Sequence, residues 1–305
     1  MEAARVSLRR ARPLLGTFVE IAVTGPAIPA MEDAVEAAFA AVATVHGLMS
    51  FHETDSDVSR LNRDAASRPV RVHDWTCEVL EVACDLNRRS AGVFDVAVAP
   101  ALQRLGLLPS VPALASLSSA PFQQFSGAIE LLPDNEVRFA HTEVKIDLGG
   151  IAKGFAVDRA VDALRCHGVA EGLVNAGGDL RAFGPRRHDI DVRDPRQPEQ
   201  PICRVALRNG ALASSAGRFD LVRSDQVLSC AVVDPATAMP VRAIRGATVR
   251  APSCIVADAL TKVVMNAGEA AAPILEHFGA DALFLSAGGE FHMTANWKNE
   301  VRLAA

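Results

Sequence analysis

The stretch from Lys145 to Asp158, K-I-D-L-G-G-I-A-K-G-F-A-V-D, reads as an apolar strand end, a glycine turn and the opening turns of a helix. Asp147 falls at the strand end. Gly149 and Gly150 permit close backbone approach and unusual φ values. Lys153 falls in the helix's first turn, where unpaired backbone N–H groups and the dipole favour an anion. A carboxylate, a glycine turn, a lysine and a helix N-terminus this close together suit a phosphate or pyrophosphate. The stretch is neither a G-x-x-x-x-G-K-[ST] loop nor a G-x-G-x-x-G turn. Taken alone, it serves equally as a strand-to-helix turn whose glycines only pack closely.

A site of this kind needs a frame, and the chain has material for one. Its 305 residues, 50% hydrophobic and 22% charged, suit one large domain or two intimately packed lobes. The net charge of −5, with no long basic run, argues against nucleic acid and against a polybasic membrane anchor. No run of 18 apolar residues occurs, so no transmembrane segment is expected. The six cysteines form no C-x-x-C pair and read as buried thiols of a reducing compartment. Arg5, Arg9, Arg10 and Arg12 precede the first predicted strand with no apolar signal core. As written the sequence is expected to be cytoplasmic; a trimmed export signal would make it periplasmic.

Periodicity predicts a strand over Thr17–Val23 and a helix from about Met31, with Val35, Ala38, Phe39, Val42, Val45 and Met49 inward. Ser56 or Asp57 caps a short helix, and Asp74 caps the next, which stops at Ser90-Ala-Gly92. A hairpin spans Ile129 to Ala140. The helix from about Ile151 turns Val157, Ala160, Val161 and Leu164 inward, and Asp158, Arg159, Asp162 and Arg165 to water. A strand ends at the glycine pair before Asp179, and Ala211–Phe219 is small and apolar, then turn-like. A strand is expected around Thr248 and a helix over Ser253–Ala267, followed by two closing strands. On that helix Asp258 and Lys262 read, in isolation, as an ordinary i,i+4 pair worth about 0.3–0.5 kcal/mol.

Several motifs then recur in one order: Leu15-Gly16-Thr17; M-S-x-x-x-x-x-S-x-x-S-R-x-N from Met49 to Asn62; Gly92-Val93-Phe94-Asp95; D-L-G-G-I-A-K-G from Asp147 to Gly154; N-A-G-G-D from Asn175 to Asp179; D-P-A-T from Asp234 to Thr237; and A-D-A-L from Ala257 to Leu260. In this order, over about Arg12 to Thr294, they resemble the ApbE family of FAD:protein FMN transferases. The resemblance implies an α+β fold over residues 1–305 as a single domain, with mixed sheets and helices in two interlocked lobes and FAD in the cleft between them. It implies FAD contacts at Leu15, His52, Val93, Phe94, Asp95, Asp147, Lys153 and Lys262, and a Mg²⁺ site at Gly150 and Asp258. The implied reaction cleaves FAD at its pyrophosphate, passes FMN to a Thr or Ser hydroxyl of an acceptor flavoprotein and releases AMP.

The sequence departs from the family pattern at informative places. Ala231 stands where a His usually precedes the D-P-x-T motif, and Ala238 replaces that motif's Gly. Leu15 replaces a Met and His52 a Tyr. Lys262 stands where a Thr usually completes the metal site. An ammonium has no lone pair for Mg²⁺, but it can take the cation's place beside Asp258 or the pyrophosphate. Three functions follow: an active transferase, an FAD carrier or sensor that has lost the chemistry, or an FAD pyrophosphatase in which water replaces the protein hydroxyl. No residue is assigned a catalytic role from the sequence.

Overall fold

The computed structural model describes residues 6–25, 27–109, 127–217, 232–297 and 301–303. In chain order the elements are β1 (Val6–Leu14), β2 (Thr17–Gly25), α1 (Ile28–Met49), α2 (Asp57–Asp64), β3 (Val70–Arg71), α3 (Asp74–Arg89), α4 (Ala99–Arg104), β4 (Ile129–Leu132) and β5 (Glu136–Phe139). They continue with α5 (Ala152–Cys166), β6 (Glu171–Ala176), β7 (Asp179–Phe183), β8 (His188–Asp194), β9 (Gln197–Leu207), β10 (Gly210–Ala216) and β11 (Ile244–Ala251). The last are α6 (Cys254–Ala267), α7 (Ala272–His277), β12 (Asp281–Ser286), β13 (Phe291–Met293) and β14 (Val301–Leu303). This is the mixed α+β architecture expected from the sequence.

An eight-stranded antiparallel sheet, in the order β1-β2-β6-β7-β10-β11-β12-β13, forms the centre. Helices α1, α5 and α6 lie side by side on one face, α1 over β1 and β2, α5 over β6 and β7, α6 over β10 and β11. The other face is covered around β7, β10 and β12 by the β14-β9-β8 sheet, through Leu180, Val192, Val205, Leu212, Leu283 and Trp297. Alternation along β7 shows why: Leu180 and Ala182 enter that second core, while Phe183 enters the helical one. A third sheet, β3-β5-β4, carries the predicted hairpin.

The inward stripe expected for α1 is buried throughout. Ser56 caps α2 by accepting from Ser59 N–H at 3.0 Å. Asp74 is not the cap of α3; His73 takes that position and accepts from Trp75 N–H at 3.1 Å. Strand β1 is a finding the sequence did not announce. It is an edge strand with one deeply buried apolar residue, Leu8, and its arginines reach acids on β2 and α1: Arg9 to Glu20, Arg10 to Glu32, Arg12 to Glu36. The small, apolar start of Ala211–Phe219 is strand β10 in mid-sheet, its small residues fitting beneath α6, while residues 218 and 219 of the turn expected after it lie outside the described residues. The thiols are only partly as expected: Cys77, Cys203 and Cys254 are buried, Cys84 is half-buried and Cys166 exposed; none of these five forms a disulfide. No helix among the described residues is long and apolar enough to cross a membrane.

Candidate functional site

The stretch before α5 is extended, but it pairs with no strand. Its partner is a side chain. The Asn62 amide, at the end of α2, donates to Ile146 C=O at 2.8 Å and accepts from Ile146 N–H at 2.7 Å. Lys145 donates to the Asn62 carbonyl. Asp147 N–H then donates to Val96 C=O at 2.8 Å, which ties this segment to the turn carrying Val93, Phe94 and Asp95. An amide doing a strand's work explains why the apolar pattern suggested a strand where no ladder exists.

The glycines divide their roles. Gly149 and Gly150 do not adopt positive φ, so conformational freedom is not what they provide. At Gly150, a Cβ would stand 3.4 Å from Lys262 Cε, with Cγ and Cδ nearly as close, because the Lys262 stem lies over that position. At Gly154, a Cβ would stand 2.2 Å from the Cys254 carbonyl oxygen and 2.8 Å from Asp258 Cβ. Only a glycine in α5 lets α6 cross this closely.

The crossing lets each helix complete the other's N-terminus. Asp258, on α6 and fully buried, accepts from Gly154 N–H of α5 at 3.0 Å. Asp158, on α5, accepts from Cys254 and Ile255 N–H of α6 at 2.9 Å each, and pairs with Arg181 at 2.7 Å. Asp158 was expected to face water; at 4% exposure it does not, because the α6 terminus needs its carboxylate. The anion at the start of α5 is thus one of the protein's own side chains.

Around Asp258 the charges alternate. Lys262 donates to Asp258 Oδ1 and, at 3.1 Å, to its carbonyl oxygen. Lys153, at the start of α5, donates to the buried Asp179 that follows the Gly177-Gly178 turn. Burial pulls the Lys153 ammonium down, but Asp258 and Asp179 outweigh it and hold it above its usual value. Burial pushes Asp258 up, yet Lys262, Lys153 and Gly154 N–H together hold it below the ordinary carboxylate range. Asp179 is raised by burial and by Asp258, which its lysine partners only partly offset. Asp147 is raised by burial, opposed by Gly149 N–H, His52 and Lys262. Asp95 is also raised by burial, against donors from Ala97 and Asn87.

Of the residues singled out in the sequence, Asp147, Gly150, Lys153, Asp258 and Lys262 converge. Val93, Phe94 and Asp95 adjoin them through Val96; the Phe94 ring itself is core, 3% exposed. Leu15 lies in the β1–β2 turn at φ 56°, and its neighbour Thr17 approaches the second glycine turn so closely that a Cβ on Gly177 would stand 2.6 Å from Thr17 Oγ1. His52 is exposed, its field reaching Asp147. Asp234 closes its turn on Ala236 N–H and the Thr237 hydroxyl, both at 2.9 Å. Ala231 lies outside the described residues. Asp179 and Asn62 were missed as site-forming side chains. Their signal was present: N-A-G-G-D repeats the order of an apolar strand, paired glycines and a charge, and Asn62 ended a recognised motif.

The donor set does not fit a divalent cation. Both Asp258 carboxylate oxygens are engaged, and the stem of Lys262 covers Gly150. No cluster of three or more His, Cys, Asp or Glu suited to a metal occurs among the described residues. A dication ligated to Asp258 would sit roughly 3–4 Å from the Lys262 ammonium, a repulsion on the order of 8–11 kcal/mol at an effective dielectric constant of about 20.

Comparison with known proteins bears on the family and the fold. The ApbE family model matches residues 15–284. The FAD:protein FMN transferase of Treponema pallidum is 27% identical, over 96% of this chain and 88% of the relative. That of Vibrio cholerae is 29% identical over 74% of this chain and 70% of the relative. The crystal structure of the ApbE protein from Thermotoga maritima superposes with a TM-score of 0.85 at 28% identity, over 97% of this chain and 99% of that one. The flavin transferase ApbE from Vibrio cholerae shares the fold, with a TM-score of 0.80 at 22% identity, over 97% of this chain and 100% of that one. With the family model matched over most of its length and the fold shared end to end, the chain belongs to the ApbE family.

Proposed function

We propose that the protein transfers FMN from FAD to a Thr or Ser hydroxyl of an acceptor flavoprotein, with release of AMP. The observation that carries this reading is the alternating row Lys153–Asp179 and Asp258–Lys262 at the head of α5, in a chain of this family. Two ammonium groups fixed by buried carboxylates are pre-organised donors for a pyrophosphate. The acceptor hydroxyl oxygen forms a bond to the FMN phosphorus and gives its proton to water, and the bond from that phosphorus to the bridging oxygen breaks, the oxygen leaving with the bonding pair as part of AMP. Such transfer asks the protein for positioning and charge compensation more than for covalent chemistry. Lys153 and Lys262 would hold the bridging phosphates. Asp147 and the turn of Val93, Phe94 and Asp95 would position the rest of FAD, with Leu15 and His52 at the edge.

The test is direct. The protein is incubated with FAD and a flavoprotein domain bearing an acceptor Thr, and the denatured acceptor is examined for covalent UV-fluorescent flavin alongside AMP release. Labelling with equimolar AMP is expected. FMN and AMP without labelling would replace the reading with an FAD pyrophosphatase. Bound FAD with no turnover would replace it with a flavin carrier.

A further inference from the structure

We infer that Lys262 is a built-in substitute for a divalent cation, so that this protein holds its pyrophosphate-containing ligand with two lysines and no metal at Asp258. The identity of the ligand rests on the flavin reading above; the absence of a metal requirement does not. One side chain closes both positions at which a metal was expected. Its stem lies along Gly150, and its head group sits on Asp258 Oδ1. The remaining oxygens of Asp258 are also committed. Oδ2 holds Gly154 N–H, and the carbonyl receives Lys262 at 3.1 Å and the Thr261 hydroxyl at 2.6 Å. The Thr261 hydroxyl, next to Lys262 on α6, is further held by the Ser215 hydroxyl at 2.7 Å.

The same geometry leaves donors for an anion. An ammonium has three N–H groups. Lys262 directs two to Asp258 and Lys153 directs one to Asp179, leaving one and two respectively. The Lys262 side chain is 17% exposed and that of Lys153 33%, while their carboxylate partners are sealed. A tethered monocation thus sits where the family pattern would have a dissociable one.

Two measurements on the full chain test this. Mn²⁺ titration followed by electron paramagnetic resonance, without flavin, should show no stoichiometric ion on the wild type or on Lys262→Arg, and one on Lys262→Thr. FAD affinity, read from flavin fluorescence quenching, should be the same within about twofold in EDTA and in Mg²⁺ for the wild type. For Lys262→Thr it should fall at least tenfold in EDTA and recover with Mg²⁺. A stoichiometric Mn²⁺ on the wild type, or a tenfold loss of its FAD affinity in EDTA, overturns the inference while leaving the flavin reading intact. So does Lys262→Thr binding FAD in EDTA as tightly as the wild type. Failure of the wild type to bind FAD in either buffer overturns the flavin reading instead, and the Mn²⁺ result then decides the metal question alone.

Discussion

Asp158 and Asp258 are both buried, both sit at the crossing of α5 and α6, and each accepts from the N-terminal backbone of the helix it does not belong to. Their remaining partners differ. Asp158 is closed off by two backbone N–H groups and the Arg181 guanidinium. Asp258 accepts one backbone N–H and the Lys262 ammonium, with the Lys153 ammonium acting on it as well. Burial raises the Asp158 carboxyl despite those partners, whereas the ammonium groups around Asp258 win over burial and lower it. One carboxylate is spent on joining two helices. The other joins them and also fixes the Lys262 ammonium beside Gly150. Burial alone therefore does not separate structural acids from functional ones, and neither does the exposure of the partner, 19% for Arg181 and 17% for Lys262; the cationic field does, since two ammonium groups act on Asp258.

The largest effect should come from Asp158→Ala. It leaves Arg181 without its partner and the α6 terminus uncapped, and should cost about 3–5 kcal/mol in urea unfolding. Without denaturant, at a temperature where circular dichroism shows the variant folded, its FAD affinity should stay within about twofold of wild type. A tenfold loss there would erase the distinction drawn between the two acids. Gly154→Ala should affect both stations, because the new methyl meets the Cys254 carbonyl. A destabilisation of roughly 1–3 kcal/mol or more is expected, together with weaker FAD binding as Asp258 is displaced. An unchanged melting temperature would refute the close crossing.

Asn62→Ala sharpens the comparison on the ligand side. It orphans the Ile146 N–H and C=O and should cost about 1–3 kcal/mol. It also frees the segment that carries Asp147, so FAD affinity should drop more than stability alone explains; equal affinity would assign Asn62 to the scaffold. The smallest effect concerns Asp95, whose folded value lies above that of the unfolded chain. Its contribution to stability is complete below about pH 3.9 and is lost as pH rises through the folded value. Asp95→Asn, which keeps an acceptor for Ala97 N–H, should therefore gain on the wild type from pH 4 to pH 7 in urea midpoints. A gain that shrinks over that interval would contradict the raised carboxyl.

Legibility in the sequence follows the range of the interaction. The α1 stripe and the Ser56 cap depend on neighbours within a turn or two, and both were readable. The Asp147–Gly154 run and Asp258 were visible as motifs. Asp158 was not, because its partners lie 96 and 97 residues away and its local pattern of acids and arginines mimics a solvated face. Strand β1 was hidden for a related reason, since its arginines are matched by acids on other elements. Least readable of all was that the head of α5 already holds an internal anion.

That reciprocal capping also sets a schedule for biosynthesis. Gly154 leaves the ribosome 104 residues before Asp258. At roughly 5–20 residues per second, the head of α5 waits on the order of 5–20 s for the carboxylate that completes it. Neither helix terminus is finished until the other has been made and docked. Lys153 and Lys262 are therefore fixed in place only after synthesis has passed α6, so a nascent chain cannot present this charge cluster ahead of its fold.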